Sequence, residues 1–180
     1  MLTLILGGAR SGKSRLARSF VTGAGRVCFI ATARAEDDPE MQARIARHRA
    51  ERPESWQTIE EPLAVAEACE RAARDADAVI VDCLTLWLSN LLWEHRAEPP
   101  GFVEETGRSG IARIAAASRW CRIILVSNEV GCATVPEAAL ARAFRDTQGL
   151  LNQSAAEAAD EVIFTVAGLP LYLKPREIRK

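Results

Sequence analysis

The chain has 180 residues, 48% of them apolar, and a formal net charge of −1. That length suits a single domain over residues 1–180 with one buried core, and the apolar share argues against global disorder. Near-neutrality gives no general electrostatic reason to expect a nucleic-acid or anionic-membrane partner, and no run reaches the roughly 18 apolar residues of a membrane span.

In chain order, Leu2–Leu6 reads as a short buried strand that runs into glycines. It lacks a basic flank and so does not read as a signal peptide, which makes the cytoplasm the expected location. Lys13–Val21 carries Leu16, Ala17 and Phe20 at helical spacing, and Val27–Ala31 is a second buried strand. Asp38 and Pro39 are placed to start a polar helix, as N-cap and first helical residue, and Pro53 closes it near Arg52. Trp56–Ile59 fits a short extended piece, Leu63–Arg74 a helix and Ala78–Val81 a third buried strand ending at Asp82. Helices are expected over Leu84–Trp93, over Phe102–Trp120 with weak points at Gly107 and Gly110, and over Pro136–Ala159 with a break near Gly149. Ile123–Val126 and Val162–Val166 complete the strands, with Leu171–Leu173 as a short sixth. Buried strands alternating with helices point to an α/β fold with a mainly parallel sheet covered on both faces.

Cys28, Cys69, Cys83, Cys121 and Cys132 are scattered, odd in number and without CxxC spacing. They read as reduced core thiols.

The segment Gly7-Gly8-Ala9-Arg10-Ser11-Gly12-Lys13-Ser14 fits G-x-x-x-x-G-K-[ST], between a strand and a helix as a phosphate-binding loop requires. Glycines let successive N–H groups turn inward around phosphates, and the following helix start adds a positive dipole end. Lys13 is placed for the β- and γ-phosphates and Ser14 for Mg²⁺. Asp82 leaves a strand at its C-terminal end, where open α/β sheets bind ligands, and fits a metal partner or a turn aspartate. Asn128 and Glu129 end the IILV strand in the same way.

The segment 41–53 sets four arginines around His48, with Arg44, His48 and Arg52 at i, i+4 spacing. A solvated charged face and a phosphate-handling element both fit this pattern. In the second case the arginines disfavour a protonated imidazole and leave a neutral nucleophile. His95 lies beside Arg96 and a Pro-Pro loop with no comparable surroundings, and reads as structural.

Taken together, the phosphate loop, Ile30-Ala-Thr-Ala33, Arg44-Ile45 through His48, Arg52-Pro53, and Trp56 with Glu60 form one ordered pattern. Ser127-Asn-Glu-Val-Gly131, Val135-Pro-Glu137, Phe144-Arg-Asp146, Gly149, Asn152-Gln153 and Ala159-Asp-Glu-Val162 continue it. The chain resembles, over nearly its whole length, the bifunctional adenosylcobinamide kinase/adenosylcobinamide-phosphate guanylyltransferases of cobalamin biosynthesis. The resemblance implies a P-loop NTPase (RecA-like) fold and two reactions on a corrinoid substrate. The aminopropanol hydroxyl of adenosylcobinamide is phosphorylated from ATP or GTP, and GMP is then transferred from GTP to that phosphate. It implies a guanylyl-histidine at His48, a homotrimer, and nucleotide contacts at the loop, at Thr32, Ala33 and Arg34, at Arg52, Pro53, Glu54 and Ser55, at Glu60 or Glu61, and at Asp82. Some relatives carry two adjacent histidines where this chain has Arg47-His48, and Glu where it has Asp82. A P-loop kinase of another small metabolite and a nucleotide-dependent switch module are the two other readings open to such a loop.

Overall fold

Five stretches bury almost every residue, on both faces, as central strands of a parallel sheet must. They are β1 (Leu2–Gly7), β2 (Val27–Ala31), β4 (Ala78–Asp82), β5 (Arg122–Asn128) and β6 (Glu161–Val166). The edges are the more exposed β3 (Gln57–Glu60) and β7 (Leu169–Lys174). The computed structural model describes residues 1–34, 39–50, 52–99 and 101–175. The strand order is β3-β2-β4-β5-β1-β6-β7, parallel throughout except for the antiparallel β6–β7 hairpin. One strand, β5, stands between the strand that feeds the phosphate loop and the strand that ends in Asp82.

The helices are α1 (Lys13–Ser19), α2 (Pro39–Ala50), α3 (Val65–Ala72), α4 (Leu84–Glu94), α5 (Phe102–Ala117) and α6 (Ala139–Ala158). Alternate residues of β1, β2, β4 and β5 feed two cores. One is closed by α3, α4, α5 and α6 around Trp87, Leu88, Ile111, Ile114 and Leu151. The other is closed by α1 through Ala17, with Val21 just beyond it, and by Trp56. Helices therefore cover both faces, as the alternation of elements implies.

Several details depart from the sequence expectation. Neither Gly107 nor Gly110 weakens α5: a Cβ at Gly110 would meet the Trp87 ring at 2.6 Å, and one at Gly107 the Leu151 side chain at 3.1 Å. Both glycines are there so that large side chains can come close to the helix backbone. Likewise α6 runs through Gly149 without a break, held by its buried face of Gln148, Leu151, Asn152 and Ala155. The sixth strand of the expectation is the longer β7, and Trp56 packs beside Phe29 instead of starting β3. Four cysteines are buried, and burial pushes the Cys28 and Cys83 thiols up to about 11. Cys132 is exposed, in the turn after β5, and is not a core thiol. The N-cap expected at Asp38 falls outside the described residues.

Candidate functional site

Every parallel strand delivers its C-terminal end to one edge of the sheet, and the phosphate loop, Thr32, Glu60, Asp82 and Asn128 lie along it. The phosphate loop leaves β1 at Gly7. A Cβ at that position would lie 2.5 Å from Ser11 Oγ and 2.6 Å from the Thr165 carbonyl oxygen, so only glycine fits between the loop and β6. Arg10 and Gly12 hold left-handed backbone, with φ of 55° and 97°. The loop is braced from two sides: the Glu129 amide donates to the Gly7 carbonyl at 3.0 Å and the Gly168 amide to the Ser11 carbonyl at 2.9 Å. Lys13 is buried and folds its ammonium back onto the Gly8 carbonyl at 2.8 Å. Ser14 stands in the first turn of α1, partly exposed, as a hydroxyl donor to a metal must be.

Asp82 is partly buried at the end of β4, in register with Ala31 and Val126. Asp82 pairs across to Val126 of β5, and Val126 to Ile5 of β1, so the acid stands two strands from the strand that feeds the loop. The Thr32 hydroxyl is fully buried and already committed. It donates to the Cys83 carbonyl and accepts from the Cys83 amide, both at 2.8 Å, and so clamps β2 to β4. Asn90, which the sequence reading passed over, donates to the Thr32 and Pro62 carbonyls at 2.7 and 3.0 Å. Ala33 and Arg34 follow in irregular backbone, where Arg34 pairs with Glu94 at 3.2 Å.

The two acids that sequence left in competition separate in the structure. Glu61 accepts the Leu63 and Ala64 amides at 3.1 and 2.8 Å and caps the approach to α3. Glu60 is exposed at the end of β3, 3.8 Å from Arg49. Arg52 lays its guanidinium 3.8 Å over the Phe29 ring, next to the Phe29–Trp56 stack. Burial lowers its hold on its proton, and the charges of Asp82 and Glu60 offset that. Pro53, Glu54 and Ser55 form an exposed turn closed by the Trp56 amide on the Pro53 carbonyl at 3.0 Å. His48 stands in the last turn of α2; its side chain and that of Arg44 lie outside the described residues.

A family model described as "Cobinamide kinase / cobinamide phosphate guanyltransferase", CobU, matches residues 3–173. The chain belongs to the CobU family. A curated relative, the "Bifunctional adenosylcobalamin biosynthesis protein CobP" of Pseudomonas aeruginosa, is 47% identical over 175 residues, 97% of this chain and 98% of the relative. The "Bifunctional adenosylcobalamin biosynthesis protein CobU" of Escherichia coli K12 is 38% identical over 187 residues, 97% of this chain and all of the relative. Among solved structures, the P4 protein from bacteriophage phi6 in complex with ADP aligns with 94% of this chain and 53% of its own, at 16% identity and a TM-score of 0.49. The P-loop fold itself rests on the strand order and loop geometry given above. The chain is thus an enzyme of the cobinamide kinase and guanylyltransferase class.

For a CobU-family enzyme, the Ser127-Asn128-Glu129 block does more than line the crevice. Ser127 is fully buried in a side-chain network with Gln148 and Asn152 that holds the end of β5 in place. Glu129 turns back to accept the Gly131 amide at 2.6 Å. A sequence cue to this network existed in the polar pair Gln148 and Asn152, four residues apart on the buried face of α6. His95 ends α4 and packs on Phe102, ring centroids 4.9 Å apart.

Proposed function

We propose that this chain phosphorylates the hydroxyl of adenosylcobinamide from ATP or GTP, and then transfers GMP from GTP to the new phosphate through a guanylyl-His48 intermediate. The observation that carries the reading is a braced phosphate loop with Asp82 at the same sheet edge two strands away, and the end of α2 beside Glu60 further along that edge. A kinase of another metabolite or a switch module does not account for a family match over residues 3–173.

In the kinase step the acceptor hydroxyl attacks the γ-phosphorus, its proton passes to solvent, and the bond from the γ-phosphorus to the oxygen bridging the β-phosphate breaks, releasing the nucleoside diphosphate. Lys13 and the inward amides of residues Gly8, Ala9, Arg10, Ser11 and Gly12 offset the charge that moves onto the phosphate oxygens. In the guanylyl step a neutral ring nitrogen of His48 attacks the α-phosphorus, and pyrophosphate leaves from the loop. An oxygen of the corrinoid phosphate then attacks the same phosphorus, the nitrogen–phosphorus bond breaks, and adenosylcobinamide-GDP forms. Ala33, Arg34, Arg52, Pro53, Glu54, Ser55 and Glu60 line the route between the loop and α2 and are assigned to the rest of the nucleotide, with Thr32 as the clamp beneath them.

The donor set at the loop suits Mg²⁺, with Ser14 and Asp82 as hard oxygen donors, and no group of three or more metal-ligating side chains stands among the described residues. Mg²⁺ held there by Ser14 and Asp82 would supply neutralisation of the phosphate charge. We place the enzyme in the cytoplasm as a homotrimer, following the family resemblance; no described helix is long and apolar enough to cross a membrane. The exposed leucines of β7, Leu169, Leu171 and Leu173, favour assembly over a lone chain.

The test is incubation with α-labelled GTP followed by acid and alkali treatment. The expected product is a protein-bound label that is acid-labile and alkali-stable and is missing from His48→Ala. Full labelling of that variant would remove His48 from the chemistry.

A further inference from the structure

Arg15 comes one residue after the phosphate-loop motif, and neither the motif nor the resemblance assigns it a role. It is exposed on α1. Its guanidinium rests against two glycines: a Cβ built at Gly168 would lie 2.8 Å from Arg15 Nη2, and one at Gly12 would lie 3.7 Å away. Both glycines hold left-handed backbone, φ +81° and +97°, and each Cβ they lack leaves the room that the arginine uses. The seat is part of the site, because the Gly168 amide is one of the two braces of the loop. Arg34 and Arg49, further along the same sheet edge, are partnered with Glu94 and Glu60. Arg15 has no ion pair or hydrogen bond among the described residues. A fork of five donors at the lip of a polyanion site, held by packing and not spent on a carboxylate, needs little rearrangement to take a phosphate oxygen.

We propose that Arg15 is a phosphate-binding residue of this enzyme, moving from its seat on Gly12 and Gly168 to a phosphate oxygen of the nucleotide or of the phosphorylated acceptor. The proposal rests on the phosphate-loop reading above. The experiment is titration calorimetry of wild type, Arg15→Ala and Arg15→Lys with ADP and with GTP, joined to steady-state guanylyl transfer to adenosylcobinamide phosphate. Arg119→Ala, an equal loss of charge at the opposite edge of the sheet, is the control.

If the nucleotide is the partner, Arg15→Ala weakens ADP and GTP by about tenfold, the scale of a charge-assisted pair, and the gap narrows as salt rises. If the acceptor is the partner, nucleotide affinity holds while KM for the phosphorylated acceptor rises by about tenfold and KM for unphosphorylated adenosylcobinamide does not change. In either case Arg15→Lys lies between the two, since it keeps the charge and loses the fork, and Arg119→Ala stays at wild type. Variation within twofold in both arms overturns the assignment of Arg15 and leaves the loop reading intact. Failure of wild type to bind either nucleotide overturns the loop reading itself.

Discussion

Asn152→Ala tests whether the polar block at the end of β5 is a strut or a ligand contact. Asn152 is 5% exposed, and Gln148 and Ser127 are fully buried. Its Oδ1 accepts from Ser127 Oγ at 2.7 Å and from Gln148 Nε2 at 2.9 Å, and its Nδ2 donates to the Asn128 carbonyl at 3.0 Å. Truncation removes all three bonds and leaves the Ser127 hydroxyl and one Gln148 donor to find new partners in a site where Gln148 Oε1 already has none. At about 1 kcal/mol net for each neutral bond, the loss is about 3 kcal/mol. A chain of this length shifts by about 2–4 °C per kcal/mol, so the melting temperature falls by roughly 6–12 °C. Thermal melts followed by circular dichroism, with urea titrations alongside, give both quantities. Asn152 touches the site only through the Asn128 carbonyl, so the folded variant at low temperature keeps its nucleotide affinity within about threefold, less than 1 kcal/mol. A variant that melts like wild type but has lost turnover would refute the strut and make Asn152 a site residue.

Gly7→Ala sets a methyl 2.5 Å from Ser11 Oγ and 2.6 Å from a β6 carbonyl that has nowhere to go. It is expected to cost about 1–3 kcal/mol of stability by overpacking, and because the loop must give way, ADP titration should show a larger loss of affinity than any distant variant of equal stability. Asp82→Asn keeps the shape and removes the charge: turnover at saturating Mg²⁺ falls by on the order of a hundredfold, while nucleotide affinity measured without Mg²⁺ is retained. Arg113 holds the Glu67 and Glu70 carboxyls below their ordinary range. A depressed carboxylate stabilises the fold above its unfolded pKa and loses that contribution as pH falls through its folded pKa. These groups are about half exposed, so solvent screening keeps the effect small. The stability difference between wild type and Arg113→Ala, from urea melts at a series of pH values, should be largest near neutrality and close up below about pH 4; a difference constant across that range would contradict the assignment.

What sequence made legible was whatever local chemistry forces. Continuous apolar runs marked the parallel strands, and the glycine pattern with Lys13 and Ser14 located the loop, because few other arrangements of those residues have a use. What it could not resolve were choices settled across the fold. Glu60 and Glu61 are adjacent acids, and only the amides at the start of α3 decide which one is spent on capping. The glycines of α5 look like weak points until Trp87 and Leu151 are seen to need their missing side chains. Thr32, carried over as a nucleotide contact, turns inward to β4 because the Cys83 backbone, some fifty positions away, offers it both a donor and an acceptor. The β6–β7 turn carries no recognisable motif, yet Gly168 braces the loop that carries the strongest one.

The same topology explains how one loop can serve two chemistries. From β3 to β1 the sheet counts four strand spacings, which at about 4.8 Å each is about 19 Å across the crevice. The phosphate loop stands at the β1 side of that span. The end of α2 is tied at the other side, through Arg49 to Glu60 and Arg52 over Phe29. A nucleotide held by its outer phosphates in the loop does not bring its α-phosphorus to a residue at β3 unless α2 moves in or a second subunit supplies one. The described contacts of α2 oppose such a move only weakly. Among the described residues none of α2 belongs to either core, and the Arg49–Glu60 pair joins groups that are 69% and 60% exposed, which contributes little. The loop is the reverse case, seated between β6 and β5 and braced by backbone hydrogen bonds on both sides. On the proposed reading, phosphate binding, common to both reactions, is built on the best-anchored part of the fold. Attack on the α-phosphorus, needed in only one of them, is assigned on that reading to His48 of α2, so the approach of that histidine to the loop is what the guanylyl step adds to the kinase step.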